Sequence, residues 1–283
     1  MKKILLPTDF SESAWNAIKY AMQLLKDETC TFYILNSFEY VMSAPSSGVL
    51  SNSQNSAVSR AQKENSIRDL ANTLKKIEKE FNNPKHTFEF SSMYGSFIDA
   101  AEKSVEKFKI DWIVMGTTGT NPVKEMTFGS STAALVGTIT CPILAIPLGV
   151  VYKPLKEIGI ACDYEFLYTK KLLKPFVELA NQQKSKVAVL HVMNNKDDIS
   201  DEQFMIKENL KLMLPAKKTE FYRLTNIKVN IAIHAFTESR KLDLICILAK
   251  KHSILERLLG KTHSKAISKH ADIPLLVLHC SNC

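Results

Sequence analysis

The apolar positions of this chain form short continuous runs, separated by stretches in which they recur three or four residues apart. The first run, Lys3-Ile4-Leu5-Leu6, is too short for a helix and suits a strand buried on both faces. Pro7-Thr8-Asp9-Phe10 turns the chain and Ser11 offers a helix cap. Ala14, Trp15, Ala17, Ile18, Ala21, Met22 and Leu25 then keep helical spacing. The alternation continues with a strand over Thr31 to Leu35, a polar loop over 43–56, and a helix over 57–81 with Leu70, Leu74 and Ile77 on one face. Next come a strand over Thr87 to Phe90, a helix over 97–108, a strand over Ile110 to Met115, a helix over Thr132 to Ile139, and a strand over Pro142 to Ile146.

At Lys156 the pattern restarts. A strand over Glu157 to Ala161 leads into a turn at Cys162-Asp163, a helix over 166–182 and a strand over Lys186 to His191. Helical segments between 201 and 224 break at Pro215, and the apolar alternation over 228–233 reads as a strand. A short helix near 237, a strand over 243–248, a helix over 262–270 and a strand over Pro274 to Leu278 complete the half. Landmarks recur in order. Ile110-Asp111-Trp112 answers Leu242-Asp243-Leu244, Thr140-Cys141-Pro142-Ile143-Leu144 answers Ala271-Asp272-Ile273-Pro274-Leu275, and Asp9 answers Asp163. Two matched halves of about 140 residues point to a duplicated domain. The expected organisation is a domain over 1–148, a linker over 149–155 carrying Gly149 and Pro154, and a domain over 156–283. Strands alternating with helices, each strand apolar throughout, give an α/β fold with parallel sheets covered by helices on both faces. Ligands of such folds sit at the carboxyl ends of the strands, where strand order reverses.

Composition narrows the classes. Hydrophobic residues make up 45% of the 283 and charged residues 23%, values of a soluble globular chain. No apolar run approaches the ~20 residues of a membrane helix. Three apolar residues after Lys2-Lys3 fall short of the ~7–15 of a signal peptide, so the expected location is the cytoplasm. The net charge of +8 is diffuse: lysines alternate with acids, as in Lys75-Lys76-Ile77-Glu78-Lys79-Glu80, which reads as solvated helix faces. With no recognition motif beside it, that charge argues against a nucleic-acid partner. The six cysteines show no disulfide framework, and Cys280-Ser281-Asn282-Cys283 lacks the second pair that a zinc site needs.

The chemistry concentrates behind Ile110–Met115, in Met115-Gly116-Thr117-Thr118-Gly119 and Gly129-Ser130-Ser131-Thr132. Gly116 and Gly119 let main-chain amides approach a phosphate with no Cβ in the way. Gly129 leads into a helix whose first amides are unpaired, and Ser130, Ser131 and Thr132 add hydroxyls there. The helix dipole favours an anion at that point by ~0.3–1 kcal/mol. Asp9 only accepts hydrogen bonds, so it suits a ribose hydroxyl or the adenine amino group. If the strands ending at Asp9 and Gly116 are neighbours, these parts describe a bound nucleotide. The motif is no Walker loop, since GxxxxGK[ST] is absent, and Gly260-Lys261-Thr262 has Leu255 where the first glycine belongs.

Pro7-Thr8-Asp9, Met115-Gly116-x2-Gly119-x9-Gly129-Ser130 and Cys141-Pro142-Ile143-Leu144 resemble the universal stress protein family, and the whole chain looks like a tandem member. The glycine spacing is that of the ATP-binding branch. The resemblance implies a five-stranded parallel sheet per half in the order 3-2-1-4-5. It implies ATP, with or without Mg²⁺, contacting Pro7, Thr8, Asp9, Met115, Gly116, Gly119, Gly129, Ser130, Ser131 and Thr132, with Ser37 near the adenine. It also implies that paired domains join through their last strands, here 142–147 and 274–279, within one chain or in a homodimer.

The second half departs from that pattern. Ala249 and His252 replace the first two glycines, and Lys250, Lys251 and His252 are bulky where main chain must meet phosphate. No ATP is expected there in the family's usual mode. No constellation of a dedicated catalyst is present; Lys124 and Glu125 lie in the glycine loop without a metal-holding partner. The leading expectation is an adenine-nucleotide-binding stress-response regulator acting through nucleotide-dependent order or an unnamed protein partner. A slow Mg²⁺-dependent ATPase or phosphoryl-transfer enzyme in the same pocket, and an interaction protein without nucleotide, are the alternatives.

Overall fold

A computed structural model describes residues 1–39, 52–117, 130–193, 198–249 and 273–279 of the chain. The first half runs β1 (Lys2–Pro7), α1 (Glu12–Leu24), β2 (Cys30–Phe38), α2 (Asn52–Glu80), β3 (His86–Tyr94), α3 (Phe97–Phe108), β4 (Trp112–Gly116), α4 (Ser130–Thr138) and β5 (Ile143–Ile146). The second runs β6 (Glu157–Cys162), α5 (Lys170–Gln183), β7 (Lys186–Met193), α6 (Asp201–Met213), β8 (Thr219–Thr225), α7 (Val229–Arg240), β9 (Leu244–Ala249) and β10 (Leu275–His279).

All ten of these strands form one sheet in the order β3-β2-β1-β4-β5-β10-β9-β6-β7-β8. Each half therefore has the order 3-2-1-4-5, with β1 between β2 and β4, and β6 between β7 and β9. The halves meet where β5 pairs antiparallel with β10, Leu144 opposite Leu276. Both leucines are fully buried, and each such side chain contributes about 1.5–3 kcal/mol. One apolar cluster covers each face of the sheet, and both clusters draw residues from both halves. The antiparallel join has a geometric consequence. Strands of the two halves run in opposite directions, so their carboxyl ends lie on opposite edges of the sheet.

Local chemistry explains the element boundaries. Ser11 caps α1, its Oγ accepting the Ala14 N–H at 3.2 Å, and Ser96 caps α3 in the same way from Asp99 at 3.1 Å. The recurring aspartates do one job twice. Asp111 Oδ2 accepts the Lys3 N–H at 2.8 Å, and Asp243 Oδ2 accepts the N–H groups of Lys156 and Glu157 at 2.7 and 3.0 Å. Each carboxylate thus anchors the start of the first strand of its half. The stretch between β5 and β6 is held from both sides. Asn16 of α1 donates to the carbonyls of Pro147 and Val150, both at 3.1 Å. The Tyr152 hydroxyl donates to Gln183 of α5 at 3.1 Å, and the Ser185 hydroxyl donates to the Leu155 carbonyl.

Several expected elements are corrected. Of residues 228–233, read as a strand, Lys228 is the N-cap of α7 and the rest lie in that helix. Val229, Ile231 and Ile233 do alternate, but Ala232, Ile233, Phe236 and Thr237 are the buried set, which is a helical face. The third strand of this half is instead β8, in residues read as helical. It lies at the sheet edge and its side chains are half-buried or exposed, so it carries no continuous apolar run. The helix expected over 166–182 begins at Lys170, because Thr169 caps it by accepting the Leu172 N–H at 3.1 Å. The helix expected from 57 begins at Asn52. The remaining part of the 43–56 loop, Lys124, Glu125, Lys250–His252, Gly260, the 262–270 helix and the Cys280/Cys283 pair lie outside the described residues.

Candidate functional site

Pro7, Thr8, Asp9, Met115 and Gly116 lie at the carboxyl ends of the paired strands β1 and β4. These strands pair with Ile4 opposite Trp112 and Leu5 opposite Ile113; the same offset, continued to the strand ends, sets Thr8 level with Gly116. Beyond β1 the chain turns tightly. The Thr8 N–H donates to the Leu35 carbonyl at 2.8 Å, Thr8 Oγ1 accepts the Phe10 N–H at 3.0 Å, and Asp9 Oδ1 accepts the Ser11 N–H at 3.1 Å. Phe10 takes the left-handed conformation, φ 63°, that this turn requires. Pro7 and Thr8 are buried and Asp9 is exposed, so the carboxylate is the group this turn offers to solvent.

On the other side, the Thr132 hydroxyl in the first turn of α4 donates to the Gly116 carbonyl at 3.2 Å, and the Thr117 N–H donates to the Ile146 carbonyl at 3.1 Å. Thr132 is buried and its O–H is engaged within the protein, whereas Ser131 is exposed and Ser130 opens the helix. The Met115 side chain lies in the core with Leu35 and Leu135. Ser37 stands half-buried near the end of β2, opposite Met93 of β3. Gly119 and Gly129 lie outside the described residues.

Gly116 has a structural reason beyond main-chain access. A Cβ there would stand 2.3 Å from Ser13 Oγ and 2.7 Å from the Ser13 carbonyl oxygen. The close approach of α1 to β4 thus demands glycine by itself. Ser13 is buried, and its Oγ has no hydrogen-bond partner among the described residues.

The last turn of α4 is tied to the other half. His279 of β10 donates from Nε2 to the Val136 carbonyl at 2.8 Å. Burial lowers the His279 pKa, so the neutral ring with its proton on Nε2 is the favoured form. One helix is thereby held at its start by β4 and at its end by the second half.

The model of the universal stress protein family matches residues 1–147. The chain belongs to that family. A universal stress protein of Methanocaldococcus jannaschii is 30% identical over 157 residues, covering 55% of this chain and 85% of that protein. Among solved structures, a universal stress protein from Archaeoglobus fulgidus aligns with a TM-score of 0.67 at 17% identity, over 98% of this chain and 96% of that one. A chain from Pseudomonas aeruginosa aligns with a TM-score of 0.58 at 11% identity, over 99% of this chain and 93% of that one. These likenesses establish the fold across both halves. No helix among the described residues is long and apolar enough to cross a membrane, and none of their His, Cys, Asp and Glu side chains gather in threes to hold a metal ion.

The second half of this universal stress protein repeats the turn and fills the space beside it. Asp163 Oδ1 accepts the Glu165 N–H at 3.1 Å, as Asp9 does for Ser11, and Tyr164 has φ 55° where Phe10 has 63°. Phe10 is 39% exposed, but Tyr164 is only 3% exposed and stacks on His191 of β7, ring centroids 4.3 Å apart. The Tyr168 hydroxyl accepts the Tyr164 N–H at 3.3 Å and so holds the main chain that carries that ring. An aromatic stack therefore covers His191, the β7 residue level with the end of β6.

Sequence reasoning did not single out Asn36, Ser13 or Thr117. Asn36 had a weak signal, a polar residue directly behind the apolar run Phe32-Tyr33-Ile34-Leu35 of β2. Ser13 and Thr117 had none, since small polar residues beside a turn are ordinary.

Proposed function

We propose that the first half binds an adenine nucleotide, ATP in the first instance, and that the protein is a cytoplasmic stress-response regulator read out through nucleotide-dependent order or a protein partner. Asp9 would accept from the nucleoside end. The amides at the start of α4, with the hydroxyls of Ser130 and Ser131 and the loop carrying Gly119 and Gly129, would face the phosphates, with or without Mg²⁺. The observation that carries this reading is the bond from Thr132 to the Gly116 carbonyl, 3.2 Å. It holds an anion-favouring helix start at the end of β4, beside the strand that leads into the exposed Asp9. The second half is proposed to bind no ATP in this mode, because Tyr164 and His191 stack at the equivalent strand ends.

Calorimetry with ATP tests the reading. Wild type is expected to bind near micromolar, about −8 kcal/mol. Gly119→Glu/Gly129→Glu is expected to lose the binding heat. Gly116 is a poor choice for this test, since any side chain there strikes Ser13 before it meets a ligand. No heat from wild type removes the nucleotide and leaves the interaction protein. Steady Mg²⁺-dependent phosphate release, lost in the double variant, replaces the regulator with an enzyme.

A further inference from the structure

Asn36 of β2 and His191 of β7 occupy matching places, each one strand away from the turn of its half. Asn36 Nδ2 donates to the Thr8 carbonyl at 2.8 Å, and His191 Nδ1 bonds to the Cys162 carbonyl at 2.9 Å. The neighbouring residues are Asp9 and Asp163. A carbonyl and the following N–H belong to one rigid peptide plane, so holding the Thr8 oxygen fixes the orientation from which Asp9 starts. The remaining bonds of the turn, Thr8 to Phe10 and Asp9 to Ser11, then complete its conformation.

Behind Asn36 lies a buried polar chain. The Ser92 hydroxyl of β3 donates to Ser66 of α2, and Ser66 donates to Asn36 Oδ1, both at 2.7 Å. Asn36 is 8% exposed and Ser66 4%, so these bonds are sheltered from competing water. His191 lacks such backing: its Nε2 is buried with no hydrogen-bond partner among the described residues. Within the described residues, the first half thus ties its aspartate turn through the sheet to the helix and edge strand beyond, and the second half does not.

We infer that Asn36, backed by Ser66, is a positioning residue for the nucleotide, acting through the Thr8–Asp9 peptide on the Asp9 carboxylate. The inference rests on the nucleotide reading above. It goes further in assigning a role to a residue that touches no ligand and in coupling α2 and β3 to the strength of nucleotide binding.

A double-mutant cycle read by calorimetry with ATP separates this role from a general loss of structure. Asp9→Ala and Asn36→Leu are each expected to weaken ATP binding about tenfold, the loss of one good hydrogen bond. If Asn36 acts through Asp9, the double variant binds within about twofold of Asp9→Ala alone. Asn36→His, which copies the donor used in the second half and gives Ser66 an acceptor in Nε2, is expected to stay within about threefold of wild type. Additive losses in the cycle, full affinity in Asn36→Leu, or failure of Asn36→His to retain binding overturns the inference while leaving the nucleotide reading intact. Absence of ATP binding by wild type overturns both. Should Asn36→Leu not fold, Ser66→Ala takes its place in the cycle with an expected loss of about threefold, again absent on the Asp9→Ala background.

Discussion

Gly116 and Ser13 meet without room for a single carbon between them: a Cβ on Gly116 would lie 2.3 Å from Ser13 Oγ and 2.7 Å from its carbonyl oxygen. The contact joins the start of α1, which follows the aspartate turn, to the end of β4, the strand beside β1. Gly116→Ala should destabilise the protein by about 1–3 kcal/mol, the usual cost of overfilling a packed interior. Adding Ser13→Ala should not restore the loss, because the carbonyl at 2.7 Å stays where the helix backbone puts it. Urea unfolding of the single and double variants checks this, and full recovery in the double variant would count against it.

Asp243 and Asp111 do the same job in different surroundings. Asp243 is buried, and besides its two amide bonds it pairs with Lys153 at 2.9 Å; Asp111 is exposed. Asp243→Ala leaves two N–H groups and a lysine without their acceptor and should cost about 3 kcal/mol. Asp111→Ala, whose amide partner can turn to water, should cost about 1 kcal/mol or less. Equal losses in denaturant unfolding would show that burial is not what sets the difference.

His191 gives the protein an acid-sensitive element. Burial lowers its pKa, opposed by its bond to Cys162 and by the charge of Asp163, while Arg223 and Lys207 push in the same direction as burial. The fold therefore favours the neutral ring, and the unfolded chain takes up the proton first as pH falls. The contribution is complete above the unfolded value, about pH 6.5, and is lost as pH falls through the folded value. His191→Asn keeps a donor for Cys162 and removes the titration. Between about pH 7.5 and 5.5 its melting temperature should fall less than that of wild type. Parallel losses in the two proteins would assign the acid sensitivity elsewhere.

Lys109, Lys184 and Lys241 each end a helix in the left-handed region, at φ 55°, 56° and 54°. A residue with a Cβ is strained there and glycine is not. Lys184→Gly at the end of α5 should raise stability by about 0.5–1 kcal/mol. Thermal unfolding of this variant checks it; a fall in stability would mean that the lysine side chain contributes more than its backbone costs.

The sequence was most legible where an element is buried on both faces. Ile4-Leu5-Leu6 and Ile143-Leu144-Ala145-Ile146 are continuous apolar runs, and both are strands. Legibility failed at the edge. Thr219–Thr225 pairs on one side only, so its composition lacks the signal of a buried strand, and the alternation of Val229, Ile231 and Ile233 in α7 imitated one. At the candidate site, the Asp9 turn and the end of β4 were readable from Pro7-Thr8-Asp9 and Gly116. The polar chain from Ser92 through Ser66 to Asn36 was not, because its members are 26 and 30 residues apart and meet only when α2 packs against β2 and β3.

By itself the sequence determined the duplication, the strands buried on both faces and the start of α1 at the Ser11 cap, because these follow from burial periodicity and from a cap that acts over a few residues. Tertiary structure decided which carbonyl each buried amide or imidazole finds, that Tyr164 folds onto His191 while Phe10 remains 39% exposed, and that Gly116 must accommodate α1. Those outcomes depend on distances between atoms far apart along the chain. A one-dimensional pattern specifies such distances only after the sheet has brought its strands side by side.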